Sequence, residues 1–138
     1  MNMTPTTAIH RVMIVDDSDI DRYIAKKIMA RHDFCNEVID YEKPAEALEF
    51  LNDNQQHAGA LPDVIFLDVY MPEINGFDFM KVYDGFSAML KAQCDVYIVS
   101  STIDPKDLMM ADQDPNIVAL HVKPLDAEFL SRVRQRRP

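Results

Sequence analysis

Glycine is scarce in this sequence, with three in 138 residues: Gly59, Gly76 and Gly85. They are too dispersed to form a phosphate-cradling loop or a dinucleotide fingerprint, which argues against nucleotide binding. Cysteine is scarcer still. Cys35 and Cys94 lie far apart without C-x-x-C spacing, so they read as small buried hydrophobes in a reducing compartment rather than a disulfide. No apolar run approaches the ~20 residues of a membrane span. The start MNMTPTTA lacks the basic-then-apolar order of a secretory signal, so we expect a cytoplasmic protein that does not insert into membrane. Basic residues are also short, 14 against 23 acids for a net charge of −9, which disfavours nucleic acid as a partner. The one basic run, RVRQRRP, closes a helical segment, where arginine suits the helix dipole. None of His10, His32, His57 and His121 has metal-ligand spacing.

What is present is an alternation of two patterns. Short β-rich runs occur at 11–15 (RVMIV), 37–41 (EVIDY), 63–67 (DVIFL), 95–100 (DVYIVS) and 117–122 (IVALHV). Four of them are nearly continuous in apolar residues, as strands covered on both faces are. Between them the spacing is helical, as in Ile20, Ile24 and Ile28, or Phe77, Met80 and Tyr83. Asp104 before Pro105, and Asp126 further on, read as N-caps. Five strands and five helices in alternation imply a flavodoxin-like, doubly wound α/β fold: a five-stranded parallel sheet of order 2-1-3-4-5. At 138 residues the chain fits one domain. We expect a loose tail over 1–8 and one domain over 9–138, with no output domain.

In that fold ligands sit beyond the carboxyl ends of strands 1 and 3, where the strand order reverses. The residues that follow the apolar runs are polar at each of these ends: Asp16-Asp17, Asp68, Ser100-Ser101-Thr102, and Lys123-Pro124. Three carboxylates crowded together repel, and one must stay protonated unless a cation intervenes. Hard oxygen donors select Mg2+ or a similar ion such as Mn2+. With that ion and Lys123 the charges sum to zero, leaving a cleft suited to a phosphoryl group. A carboxylate is a competent nucleophile at phosphorus. The Ser100 hydroxyl and the Lys123 ammonium can each contact a phosphoryl oxygen.

Asp16-Asp17, LDVYMPEING, VSS and VKP, in that order over residues 9 to 137, resemble the receiver domain of two-component response regulators, of the stand-alone, chemotaxis-regulator-like kind. The resemblance implies Asp68 as phosphoacceptor, Asp17 as a direct Mg2+ ligand, Asp16 acting through water, and the Tyr70 backbone carbonyl as the remaining protein ligand. It makes Ser100 the switch hydroxyl and Lys123 the phosphoryl contact, with a cis Lys123-Pro124 bond. Tyr70, Ser101 and Thr102 would flank the phosphoryl group, with bulky Tyr70 shielding it from water. The family usually places Tyr or Phe where this chain has Leu120, so the aromatic half of the usual switch is missing. The phosphoryl donor implied is a sensor histidine kinase or a histidine phosphotransfer protein. Ile20, Ile24 and Leu125 are the docking positions by analogy, and the signal would leave through a downstream protein.

Plainer readings stand beside this one. Asp16-Asp17 could serve as a helix cap with a first-turn acid, Asp68 could form a turn before Pro72, and Ser101 and Thr102 could be strand-end solubilisers. At the level of function, one alternative is a Mg2+-dependent phosphatase or phosphotransferase working through an aspartyl phosphate. Hydrolases of the haloacid dehalogenase type, which share that chemistry, carry a second Asp where this chain has Tyr70, and no segment here resembles their cap. The other alternative is a receiver used as an unphosphorylated scaffold.

Overall fold

The structure, a computed structural model, describes residues 9–137; the expected tail over 1–8 lies outside them. Five parallel strands, β1 (Arg11–Val15), β2 (Glu37–Tyr41), β3 (Val64–Leu67), β4 (Asp95–Ser100) and β5 (Ile117–Val122), form one sheet in the order β2-β1-β3-β4-β5. The expected order is the observed one. Its physical cause is visible in the runs themselves: Val64–Leu67 is buried throughout, and Val96–Ser100 likewise.

Alternation along each strand divides the core into two layers. Val12, Ile14, Val64, Phe66, Tyr97 and Val99 face α1 (Asp19–Arg31) and α6 (Ala127–Arg136), whose Met29, Phe129, Leu130 and Val133 complete that layer. Met13, Val15, Ile65, Leu67, Val96 and Ile98 face the opposite side. There they meet α2 (Pro44–Asp53), α3 (Gly76–Tyr83), α4 (Ala88–Gln93) and α5 (Pro105–Gln113) through Leu51, Phe79, Met80, Leu90 and Ala111. Each such fully buried aliphatic or aromatic side chain contributes about 1.5–3 kcal/mol. One short 3-10 turn, Ala58–Ala60, precedes β3.

The described residues contain six α-helices where the apolar spacing implies five. The segment after β3 is divided: α3 stops at Tyr83, the chain turns through Gly85 and Phe86, and Ser87 starts α4 by accepting the Leu90 N–H at 3.2 Å. An N-cap of this kind is worth about 1 kcal/mol. Asp104 and Asp126 cap α5 and α6 as their positions imply, and Ser18 caps α1.

Candidate functional site

Three strand ends converge at the switch point, and the ladder itself fixes them. The Asp68 N–H donates to the Val15 carbonyl (2.9 Å), tying β3 to β1, and the Asp16 N–H donates to the Tyr41 carbonyl (3.1 Å). The Lys123 N–H donates to the Ser100 carbonyl at 2.8 Å, which ties β5 to β4. The Lys123-Pro124 bond is cis, as expected. One carboxylate oxygen from each of Asp16, Asp17 and Asp68 lies within 4.8 Å of the other two. Asp16 and Asp68 are buried; Asp17 is exposed and open to solvent.

Lys123 is the cation of the cluster. Its Nζ donates to Asp16 Oδ2 at 2.7 Å and to Asp21 Oδ2 at 2.8 Å, and stands 3.5 Å from Asp68 Oδ1. Burial alone would lower the lysine pKa, but its bonds to Asp16 and Asp21 and the nearby Asp68 outweigh this, and the net shift is upward. Lys123 therefore stays charged. Asp68 moves to about 6, because burial and the neighbouring Asp16 charge disfavour its ionised form more than Lys123 favours it. The Asp16 carboxylate is held by the Ser18 N–H at 2.9 Å, and the Asp16 carbonyl by Arg22 Nη1 at 2.7 Å. The cap of α1 is Ser18, so neither Asp16 nor Asp17 serves as the cap.

The hydroxyl positions are now specific. Ser100 is fully buried, and its Oγ donates to the Thr102 carbonyl at 2.7 Å. Ser101 lines a cleft of about 310 Å3 together with Asp16, Asp21, Asp68, Lys123 and Leu125. Thr102 is exposed. Tyr70 is half-exposed, and its hydroxyl is engaged by Asp107 Oδ2 at 2.7 Å. Leu120 is half-buried against the core layer of α2–α5, opposite Ile98 in the sheet. Ile20 and Ile24 are exposed on α1, whereas Leu125 is buried in the wall of the cleft.

Asp21, Arg22 and Asp107 escaped the sequence reading. Asp21 sits inside an ordinary helical segment, and nothing local distinguishes it from a solvated acid. Asp107 did carry a signal, the Asp-x-x-Asp spacing from Asp104, and the two residues form a reciprocal capping box. The acid set suits a divalent ion through three hard oxygen donors, and Tyr70, two residues beyond Asp68, stands exposed between buried Val69 and Met71.

A doubly wound parallel sheet that gathers three acids and a lysine at its switch point defines a small class of α/β domain. Comparison with known proteins agrees. The model of the response regulator receiver domain matches residues 12–133, and the chain belongs to that family. Over 135 residues it is 27% identical to the two-component response regulator ORR1 of Oryza sativa subsp. indica, covering 94% of this chain and 56% of that protein. It is 32% identical over 72 residues to the chemotaxis protein CheY of Bacillus subtilis, covering 52% of this chain and 54% of that one. The chain thus spans about half the length of these curated relatives. Among solved structures, a response regulator receiver protein from Dyadobacter fermentans superposes with a TM-score of 0.82 at 30% identity, covering 92% of this chain and 96% of that one. A two component response regulator from Cytophaga hutchinsonii gives 0.86 at 26%, with 93% and 96% covered. The chain is therefore a receiver domain of the two-component type, and no helix among its described residues is long and apolar enough to cross a membrane.

Proposed function

We propose that this receiver accepts a phosphoryl group on Asp68 from a sensor histidine kinase or a histidine phosphotransfer protein, in the cytoplasm. The observation that carries the reading is the meeting of Asp16, Asp17 and Asp68 within 4.8 Å beside an ammonium 3.5 Å from Asp68. Asp16, Asp17, Asp68 and the Tyr70 carbonyl would hold Mg2+ or Mn2+, which when bound supplies charge neutralisation for the acids and an incoming phosphoryl group. An Asp68 carboxylate oxygen attacks phosphorus, the bond from phosphorus to the donor histidine nitrogen breaks, and its electron pair stays on the imidazole. Lys123 meets one phosphoryl oxygen. Ser100 reaches another by exchanging the Thr102 carbonyl for it as hydrogen-bond acceptor.

Signalling follows from the changed charge. A carboxylate becomes a larger dianionic group, and it biases the chain only as far as its free energy differs between two arrangements of the loops after β3 and β4. Exposed Leu108 and Met109 on α5 offer an adaptable contact for a downstream protein, or the phosphoryl group passes onward. Docking of the donor is assigned to Ile20 and Ile24 on α1, with Leu125 forming the buried edge. Incubation with a small acyl phosphate and Mg2+, followed by intact mass, tests the assignment: a labile adduct is expected in the wild type and none in Asp68→Asn. Turnover of external phosphate esters would point instead to an enzyme, and no adduct at all to a scaffold.

A further inference from the structure

Lys123 is shared between two masters. The ammonium has three N–H donors. Its two short contacts go to Asp16 at 2.7 Å and to Asp21 at 2.8 Å, and only the longer one, 3.5 Å, goes to Asp68. Asp21 belongs to α1, in the first turn after the Ser18 cap, and its own N–H is the one that Ser18 Oγ accepts at 3.1 Å. The cap fixes the backbone of Asp21, and the half-buried carboxylate then reaches across the cleft to β5.

We propose that Asp21 is a positioning residue for Lys123, holding the ammonium toward α1 and off Asp68, so that the acid cluster keeps its charge for a divalent cation. This rests on the metal reading above. Without the Asp21 charge, the anionic partners left to the ammonium among the described residues are Asp16 and Asp68, and it neutralises the two buried acids that the cation needs. Lysine and metal are then competitors, and Asp21 decides how far the lysine competes. Because Asn keeps the backbone N–H that Ser18 caps, Asp21→Asn removes the charge without removing the cap.

The test is a double-mutant cycle read by calorimetric titration of Mg2+ into the unphosphorylated full chain, with Asp21→Asn, Lys123→Met and the pair together. Asp21→Asn is expected to weaken Mg2+ binding about fivefold, the scale of one partly exposed ion pair. Asp21→Glu should restore it, and in the Lys123→Met background Asp21→Asn should have no further effect. Unchanged affinity in Asp21→Asn overturns the proposal. So does an equal loss in both backgrounds, since Asp21 would then act through space on the cation and not through the lysine. Wild-type protein that binds no Mg2+ overturns the metal reading and this inference together, whereas binding in the wild type with no effect of Asp21→Asn overturns this inference alone.

Discussion

The hydroxyl of Tyr70 donates to Asp107 Oδ2 at 2.7 Å, joining the loop two residues beyond Asp68 to the first turn of α5. Asp107 is buried, and its carboxylate already serves the capping box by accepting the Asp104 N–H at 3.4 Å. The loop that carries Asp68 and the helix that carries exposed Leu108 and Met109 are thus linked through one phenol. Being shared with a carboxylate, that phenol has its pKa pushed up to about 12 and stays protonated as the donor. Tyr70→Phe removes one donor from the buried carboxylate, and urea unfolding is expected to show a small loss of stability. Tyr70→Asn also removes the ring. The adduct of Tyr70→Asn should hydrolyse faster than that of Tyr70→Phe; equal rates in Tyr70→Asn and wild type would end the shielding role of Tyr70.

Asp68 has a folded pKa of about 6, raised by burial and by Asp16. In the unfolded chain the group returns to an ordinary carboxylate value of ~3.9. Between those two values the folded state holds the extra proton, so stability in chelator falls as pH rises through this window and levels off above it. Asp68→Asn removes the ionised group and its repulsion. Its melting temperature without metal should exceed that of the wild type at pH 7, and the difference should shrink toward pH 4. A variant less stable than wild type at pH 7 would show that Asp68 is not strained by its surroundings.

Lys123 offsets the charge of Asp16 and Asp68, both buried. Replacing it by Met leaves those acids uncompensated, which at a buried pair costs about 3–5 kcal/mol before the acids protonate. Differential scanning fluorimetry in chelator should show a large drop in melting temperature. Mg2+ should then raise the melting temperature of Lys123→Met more than that of wild type, since cation and ammonium neutralise the same acids. Equal Mg2+ shifts in the two proteins would mean that they do not.

Gly76 opens α3 where the chain doubles back on β3. A Cβ there would lie 2.6 Å from the Asp68 carbonyl oxygen and 3.0 Å from the Val69 Cα, both backbone atoms that can only move with the loop. The Gly76 N–H donates to the Val69 carbonyl at 2.8 Å, so the start of α3 is tied to the loop that carries Asp68. Gly76→Ala is expected to cost about 1–3 kcal/mol in chemical denaturation and to slow adduct formation by displacing Asp68. Normal stability together with a normal rate would show that the close approach is slack.

Much of this arrangement is written in local pattern. The apolar runs give the bounds of β1, β2, β4 and β5, and β3 lacks only Asp63, whose carboxylate instead accepts the His10 N–H at 2.7 Å and the Arg11 N–H at 3.1 Å. Because a parallel sheet brings its carboxyl ends to one edge, Asp16, Asp17, Asp68, Ser100 and Lys123 could be grouped from strand ends alone. The break between α3 and α4 was missed by the five-helix reading, although Gly85 disfavours helix and Ser87 favours a new start. What was hidden is of another kind. Asp21 and Lys123 are 102 residues apart, and Tyr70 and Asp107 are 37 apart. Each pair joins polar groups on different elements, so no periodicity links them. The same holds for Ser100, whose type suggests a hydroxyl for phosphate while its resting bond to Thr102 depends on the path of the loop after β4.

The most direct measurement of the central assignment is the site of phosphorylation itself. Asp68 and Asp63 flank the same strand, one in the acid cluster and the other at the opposite end, 3.6 Å from Arg137. Wild type, Asp68→Asn and Asp63→Asn, each checked for a folded state, are treated with an acyl phosphate donor with and without Mg2+ and weighed intact. The account predicts a Mg2+-dependent, hydroxylamine-labile phosphoryl adduct in wild type and Asp63→Asn, and its loss in Asp68→Asn. An adduct that survives in Asp68→Asn would contradict it.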